Sequence, residues 1–348
     1  VTSGLILGKT RALLFGSVRV FLDRMVTLLG LAAVTFAIGR LLPADPVLAM
    51  VGDHASPETY NRVRLEMGLD QPVYVQFGHY VSRLLRGDLG SSFLTGRPVL
   101  DDLLHFFPAT LELSTIAIAI GSLIGIPLGV LAASRHRKPT DYLIRIFSLS
   151  GYSIPIFWLG LLALLLFYLK LGWVAGPGRL DVAYQSVLAR HSGLFLLDAL
   201  LQQRWDIFAN ALSHLLLPAA LLGYFSAAYI IAMTRSFMLE QLSQEYITTA
   251  RVKGVGETAI LWRHALPNAA SQLVTVLALA FALLLEGAVL TETVFAWPGL
   301  GLYVTQALFS SDLNAVLGGA LLFCLVLVLL NTLADRLGHF LDPRGRST

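Results

Sequence analysis

Residues 245–267, EYITTARVKGVGETAILWRHALP, carry Arg251, Lys253, Arg263 and His264 between two long apolar segments near 212–233 and 271–291. A stretch so charged cannot itself lie in hydrocarbon. Helix-forming residues stand on both sides of Gly254, which offers a backbone break between them. The chemistry open to such a stretch is mechanical: a helix–turn–helix on a membrane face is something another protein can hold and push. The plainer reading is a polar loop joining two membrane helices.

Catalytic chemistry has no comparable foothold. GLILGKT at 4–10 approaches a phosphate-binding loop, but Ser3 stands where the first glycine is required and no strand precedes it. The chain contains no nucleophile–base pair and no zinc motif. Its single cysteine, Cys324, excludes an intrachain disulfide, and its eight histidines are scattered without ligand spacing. The reading is therefore no enzyme, no cofactor and no metal. Polar residues inside the apolar segments are few: Glu112 and Glu286 near segment ends, with Ser114 and Thr115 beside the first. An ionised carboxylate facing lipid is costly, so Glu286 either pairs or snorkels near the interface, or faces a polar path between helices.

The elements that must position these residues are membrane helices. Of 348 residues, 56% are hydrophobic and 14% charged, with mean hydropathy +0.71. Soluble domains carry roughly 25% charged residues, so the composition is that of an all-α polytopic membrane protein. Six apolar segments are long enough to span, near 25–42, 110–133, 143–171, 212–233, 271–291 and 315–334. Residues 1–24 precede them as a separate segment, and 25–348 read as one transmembrane domain with long loops at 43–109 and 172–211. Arg135, Arg137 and Lys138 in a short connector place that connector in the cytoplasm. Both termini and the 234–270 region then share that side, so the charged stretch faces the cytoplasm, where ATP is.

Within the first long loop, Ser56 as cap, Pro57 at the first position and Gly68 as stop predict a short helix. Val73 to Leu85 reads as amphipathic, either lying on the interface or docking an external partner. In the second span, Gly121, Gly125 and Gly129 recur every four residues, which bares one face for close approach of another helix. Pro127 between them can bend the helix.

Ala250, Gly254, Leu266 and Pro267 have the spacing of the coupling motif of ABC importer permeases: A-x-x-x-G, then L-P with the proline thirteen residues after the glycine. Thr248-Thr249 stand where the superfamily has Glu-Ala, and His264 where it usually has Ile. The form E-Y-x-x-x-A-R-x-K-G resembles the dipeptide/oligopeptide branch, which also holds nickel and glutathione permeases. MGLDQPVYVQF at 67–77, RGDLGSSFLTGRPV at 86–99, FPATLEL at 107–113, SIPIFWLG at 153–160, ETVFAWPGLGLYV at 292–304 and FLDPRGR at 340–346 resemble the same branch in order. The loop containing LARHSGLFLLDALL looks most like that of dipeptide permeases.

The resemblance implies a type I importer permease with six transmembrane helices and a cytoplasmic coupling helix in the bacterial inner membrane. Glu245, Ala250, Arg251, Gly254, Leu266 and Pro267 would then form the ATPase-coupling element. The implied partners are a homologous second permease, two cytoplasmic ATPase subunits, an external solute-binding protein and membrane lipid, with no nucleic acid. The solute would be a peptide; nickel or glutathione is the alternative within the family. A membrane enzyme or receptor without transport is the alternative outside it.

Overall fold

The computed structural model describes residues 25–39, 47, 56–66, 68–189 and 191–341. Residues 1–24 with GLILGKT, most of PADPV at 43–47, Met67 and DPRGR at 342–346 lie outside the described residues. The described chain is helical: α1 (Met25–Gly39), α2 (Pro57–Glu66), α3 (Val73–Leu85), α4 (Val99–Ser134), α5 (Pro139–Ser153), α6 (Ile156–Lys170), α7 (Phe195–Leu201), α8 (Trp205–Leu242), α9 (Glu245–Val252), α10 (Glu257–Val294), α11 (Leu300–Phe309) and α12 (Leu313–Leu341). Single turns such as Val182–Gln185 lie between them. Helices α4, α8, α10 and, over Leu313–Ala334, α12 are long and apolar enough to cross a membrane; α1 and α11 are shorter apolar helices.

The single span expected near 143–171 is instead two helices, α5 and α6, bent by 97°. The cause is local. Pro155 excludes α geometry from the residue before it, and Ile154 is extended at φ −97°, ψ 125°. The last helical bond of α5 runs from the Ile154 N–H to the Ser150 carbonyl, and Pro155 has no N–H to continue the ladder. The connectors also hold more helix than their polarity suggested. Helix α8 continues to Leu242, with Met238 on that extension buried, and α11 forms between the spans expected near 271–291 and 315–334.

The described residues form two compact units. The first lies within 1–103 and 307–328. There the Ser56 hydroxyl accepts the Thr59 N–H at 3.2 Å and starts α2, and Gly68 follows its end at φ +64°. Phe36 of α1 meets the rings of Phe77 and Tyr80 of α3, and the Thr35 and Tyr80 hydroxyls bond at 3.1 Å. Asp312, fully buried, accepts the Ser92 hydroxyl at 2.6 Å and the Leu94 N–H at 3.1 Å. That carboxylate clips the tight 86–98 loop to the start of α12.

The second unit lies within 104–306 and 329–348. Its axis is the seam between α4 and α8. A Cβ placed on Gly121, Gly125 or Gly129 would lie 3.1, 3.2 and 3.0 Å from the carbonyl oxygens of Gly223, Ala227 and Ile231, in that order. Gly223 answers from α8, where a Cβ would lie 3.2 Å from the Ala117 carbonyl. Backbone thus meets backbone along three turns, and no side chain fits between. At one end of the seam Ala109, Leu113 and Ala117 are buried with Leu215, Ala219, Leu222, Leu284, Ala288 and Trp297. The other end leads to residues 245–267.

Leucine at position 125 has to displace Ile230, whose Cβ would stand 2.8 Å from the new one. Gly125→Leu is expected to cost about 1–3 kcal/mol, as overpacking does in dense cores. Gly30→Ala, where an added Cβ meets nothing within 4 Å, is the control. Thermal unfolding in detergent should show a lowered midpoint for the first variant and an unchanged or slightly raised one for the second, where alanine also suits the helix better than glycine. Equal midpoints would mean that the seam is loose.

Candidate functional site

Helix α9 has one buried side and one bare side. Ile247 and Ala250 are buried with Val130 and Ala133 of α4, Met238 of α8, and Ile260 and Ala265 of α10. The other side, a shallow depression, is lined by Glu245, Thr248, Thr249, Val252 and Lys253. Val252 is 84% exposed, and Tyr246 and Trp262 also stand out from the surface. The apolar positions 247 and 250 are three residues apart, which places both on one helix face. Glu245 occupies the first turn of α9, where the helix dipole favours a carboxylate.

Gly254 ends α9 at φ +80°. Its N–H donates to the Arg251 carbonyl at 2.9 Å, and the Val255 N–H reaches back to the Ala250 carbonyl at 3.1 Å. This paired closure needs a left-handed residue after the cap, and the following Val255 packs on the buried cluster, as such closures require. The turn is clamped from outside by an ion pair: Arg251 Nε donates to Glu257 Oε1 at 2.8 Å. That hydrogen bond raises the pKa of the Arg251 guanidinium further above its ordinary value.

Beyond the turn, α10 widens to i→i+5 bonding over Ile260–Ala265, immediately before Leu266-Pro267. Pro267 supplies no N–H and its ring crowds the carbonyl four residues back, so one turn relaxes outward. Leu266 packs against the same cluster as Ala250; Pro267 is exposed. The structure therefore gathers Ala250, Arg251, Gly254 and Leu266 on one knuckle, with Glu245 on its open side and Pro267 just beyond. Gly121, Gly125 and Gly129 lie on the seam leading to it, and Glu286 lies farther along α10.

Two features escaped the sequence reading. Arg179, in the loop between α6 and α7, forms a buried ion pair with Glu112 of α4 and donates to the Gly193 carbonyl at 3.0 Å. Its guanidinium lies over the Phe195 ring at 3.7 Å, and Glu112 also accepts the Leu196 N–H at 2.8 Å. The partners are 67 residues apart, so no local pattern announces them. The second is Glu292, fully buried at the end of α10. It accepts the Thr110 hydroxyl at 2.5 Å and the Leu302 N–H at 2.9 Å, and Gly299 and Gly301 leave room for its carboxylate. Trp297 donates to the Ala109 carbonyl at 3.0 Å. The stretch ETVFAWPGLG is thus a bonded cap on the seam. Its two glycines, on either side of Leu300, were the one local hint that something large sits against the backbone there.

Residues 125–347 match the family described as "Binding-protein-dependent transport system inner membrane component", and residues 13–114 match its companion N-terminal family. The chain is 47% identical over 315 residues to the "Probable D,D-dipeptide transport system permease protein DdpB" of Escherichia coli (strain K12), covering 90% of this chain and 92% of that one. It is 41% identical over 321 residues to the "Di/tripeptide transport system permease protein DppB" of Pseudomonas aeruginosa (strain UCBPP-PA14), covering 92% and 95%. In fold it is similar to a chain in the structure "Inward facing conformations of the MetNI methionine ABC transporter: CY5 native crystal form". The TM-score is 0.51 at 18% identity, over 67% of this chain and 93% of that one. The fold is that of an ABC transporter permease.

A β-branched residue at Gly254 must adopt the left-handed conformation, at a cost of roughly 1–2 kcal/mol, although its side chain meets nothing within 4 Å. Gly254→Val is expected to speed amide exchange across 245–257 by about tenfold. Gly254→Asn, which tolerates that conformation, should change it less. Equal exchange in parent and valine variant would show that the turn is not held left-handed.

Proposed function

Because the chain belongs to the family of binding-protein-dependent transport system inner membrane components, we propose that it is one permease of an ATP-driven importer of short peptides. It is a multi-pass inner membrane protein. The peptide assignment rests on the names of its relatives, a D,D-dipeptide permease and a di/tripeptide permease among them, together with near-complete coverage of both chains. Both termini and α9 lie on the cytoplasmic side in this reading, supported by the basic connector Arg135, Arg137 and Lys138. Two ATPase subunits grip the knuckle, a second homologous permease completes the path, and a solute-binding protein delivers the peptide from outside.

The observation that carries the proposal is the two-sidedness of α9. One side is fixed on α4, α8 and α10 by buried apolar residues, so force applied to the other side moves helices rather than bending a loop. Two bundles rocking against each other around a central path is how such a push becomes alternating access.

Val252→Asp tests this without disturbing the core, since the side chain is 84% exposed. A carboxylate buried unpaired at a protein contact costs about 1–3 kcal/mol or more. ATP-driven uptake of a labelled dipeptide should fall at least about tenfold while membrane abundance of the chain is unchanged. In a Cys324→Ser background, Val252→Cys should crosslink to an ATPase subunit. Full uptake by the aspartate variant, with no crosslink from the cysteine, would contradict the proposal.

A further inference from the structure

Every exposed position of α10 between 271 and 293 falls on one stripe: Gln272, Thr275, Leu279, Leu283, Glu286, Leu290 and Thr293. The steps of three and four residues are those of a single helix face. All other positions in that range are buried or half-buried. The stripe is neither uniformly apolar, as a lipid-facing surface would be, nor closed by the described residues.

Glu286 is the exception among the carboxylates of this apolar region. Glu112 and Glu292 are buried and satisfied, by Arg179 and the Leu196 N–H in one case and by Thr110 and the Leu302 N–H in the other. Glu286 is exposed, and no hydrogen bond or ion pair holds it among the described residues. Next to it, a Cβ added to Gly287 would meet nothing within 4 Å. Glu286 stands eight residues before the end of α10, about 12 Å along the axis at ~1.5 Å per residue. At membrane depth an ionised carboxylate faces water, protein or a cation in preference to lipid.

We infer that the Glu286 stripe lines the water-filled path and that the Glu286 carboxylate binds the ammonium group of the passing peptide. The inference rests on the transport reading above. An α-ammonium is the one cationic group common to unmodified peptides, so a single carboxylate serves peptides of differing side chains. The leucines at 279, 283 and 290 on either side offer apolar contact without sequence preference. Such a site guides and does not hold: one exposed ion pair binds weakly, and transport requires release.

The test uses the complete transporter, with the Cys324→Ser chain as parent. First, parent uptake of a labelled dipeptide is measured; no uptake in the parent refutes the transport reading, whatever Glu286 does. Given uptake, Glu286→Gln should lower it about tenfold at sub-saturating peptide, while stimulation of ATP hydrolysis by the binding protein persists. Glu286→Asp should restore most of it. Glu286→Cys should react with a water-soluble cationic thiol reagent and be protected by dipeptide. Unchanged uptake by the glutamine variant, or a cysteine inert to the reagent, would overturn the inference. So would loss of the second permease from the purified glutamine complex, which would assign Glu286 to a subunit contact.

Discussion

The close approach of α4 and α8 is the constraint on which the second unit depends. Three glycines on one helix and Gly223 on the other bring backbones to within one Cβ of contact. Lipid supplies no hydrophobic drive for helix association, so close packing and interhelical hydrogen bonds have to supply it, and small residues let the backbones approach closely enough. The seam is accordingly intolerant of added volume: Ile230 and Thr234 already lie against Gly125 and Gly129.

Both ends of this spine carry specialised structure. At one end Val130, Ala133 and Met238 seat α9 and the Gly254 turn. At the other, Thr110 and Ala109 receive Glu292 and Trp297, and Glu112 receives Arg179. Packed helices, and not loops, therefore join α9 to the far cap. The buried Arg179–Glu112 pair suits that position: removal of either partner leaves an uncompensated charge, so the pair holds the loop between α6 and α7 on α4.

The sequence announces some of this and hides the rest for physical reasons. Apolar length sets the spans, and Gly121, Gly125 and Gly129 mark the face where a helix comes close. Ser56, Pro57 and Gly68 bound α2 because capping acts within four residues. The Gly254 turn is legible because a left-handed residue is a local demand. The bend at Pro155 was masked by continuous apolarity: hydropathy reads through 143–171 and carries no angle. The Arg179–Glu112 and Glu292–Thr110 contacts join residues far apart in the chain, and such pairing is set by topology. Glu286 was visible as a charge in an apolar run, but its exposure on a single mixed stripe is a property of the packed helix.

With Ile247 and Ala250 buried against α4 and α8, the spine should carry α9 as one rigid body. Spin labels on Val252→Cys of α9 and Leu216→Cys of α8, both exposed and both in the second unit, measure this directly in a Cys324→Ser background. The distance between them should have one narrow distribution, unchanged between the nucleotide-free transporter and the transporter trapped with ATP. A shift of about 5 Å or more, one helical turn, would show that α9 moves against the spine and is not carried by it.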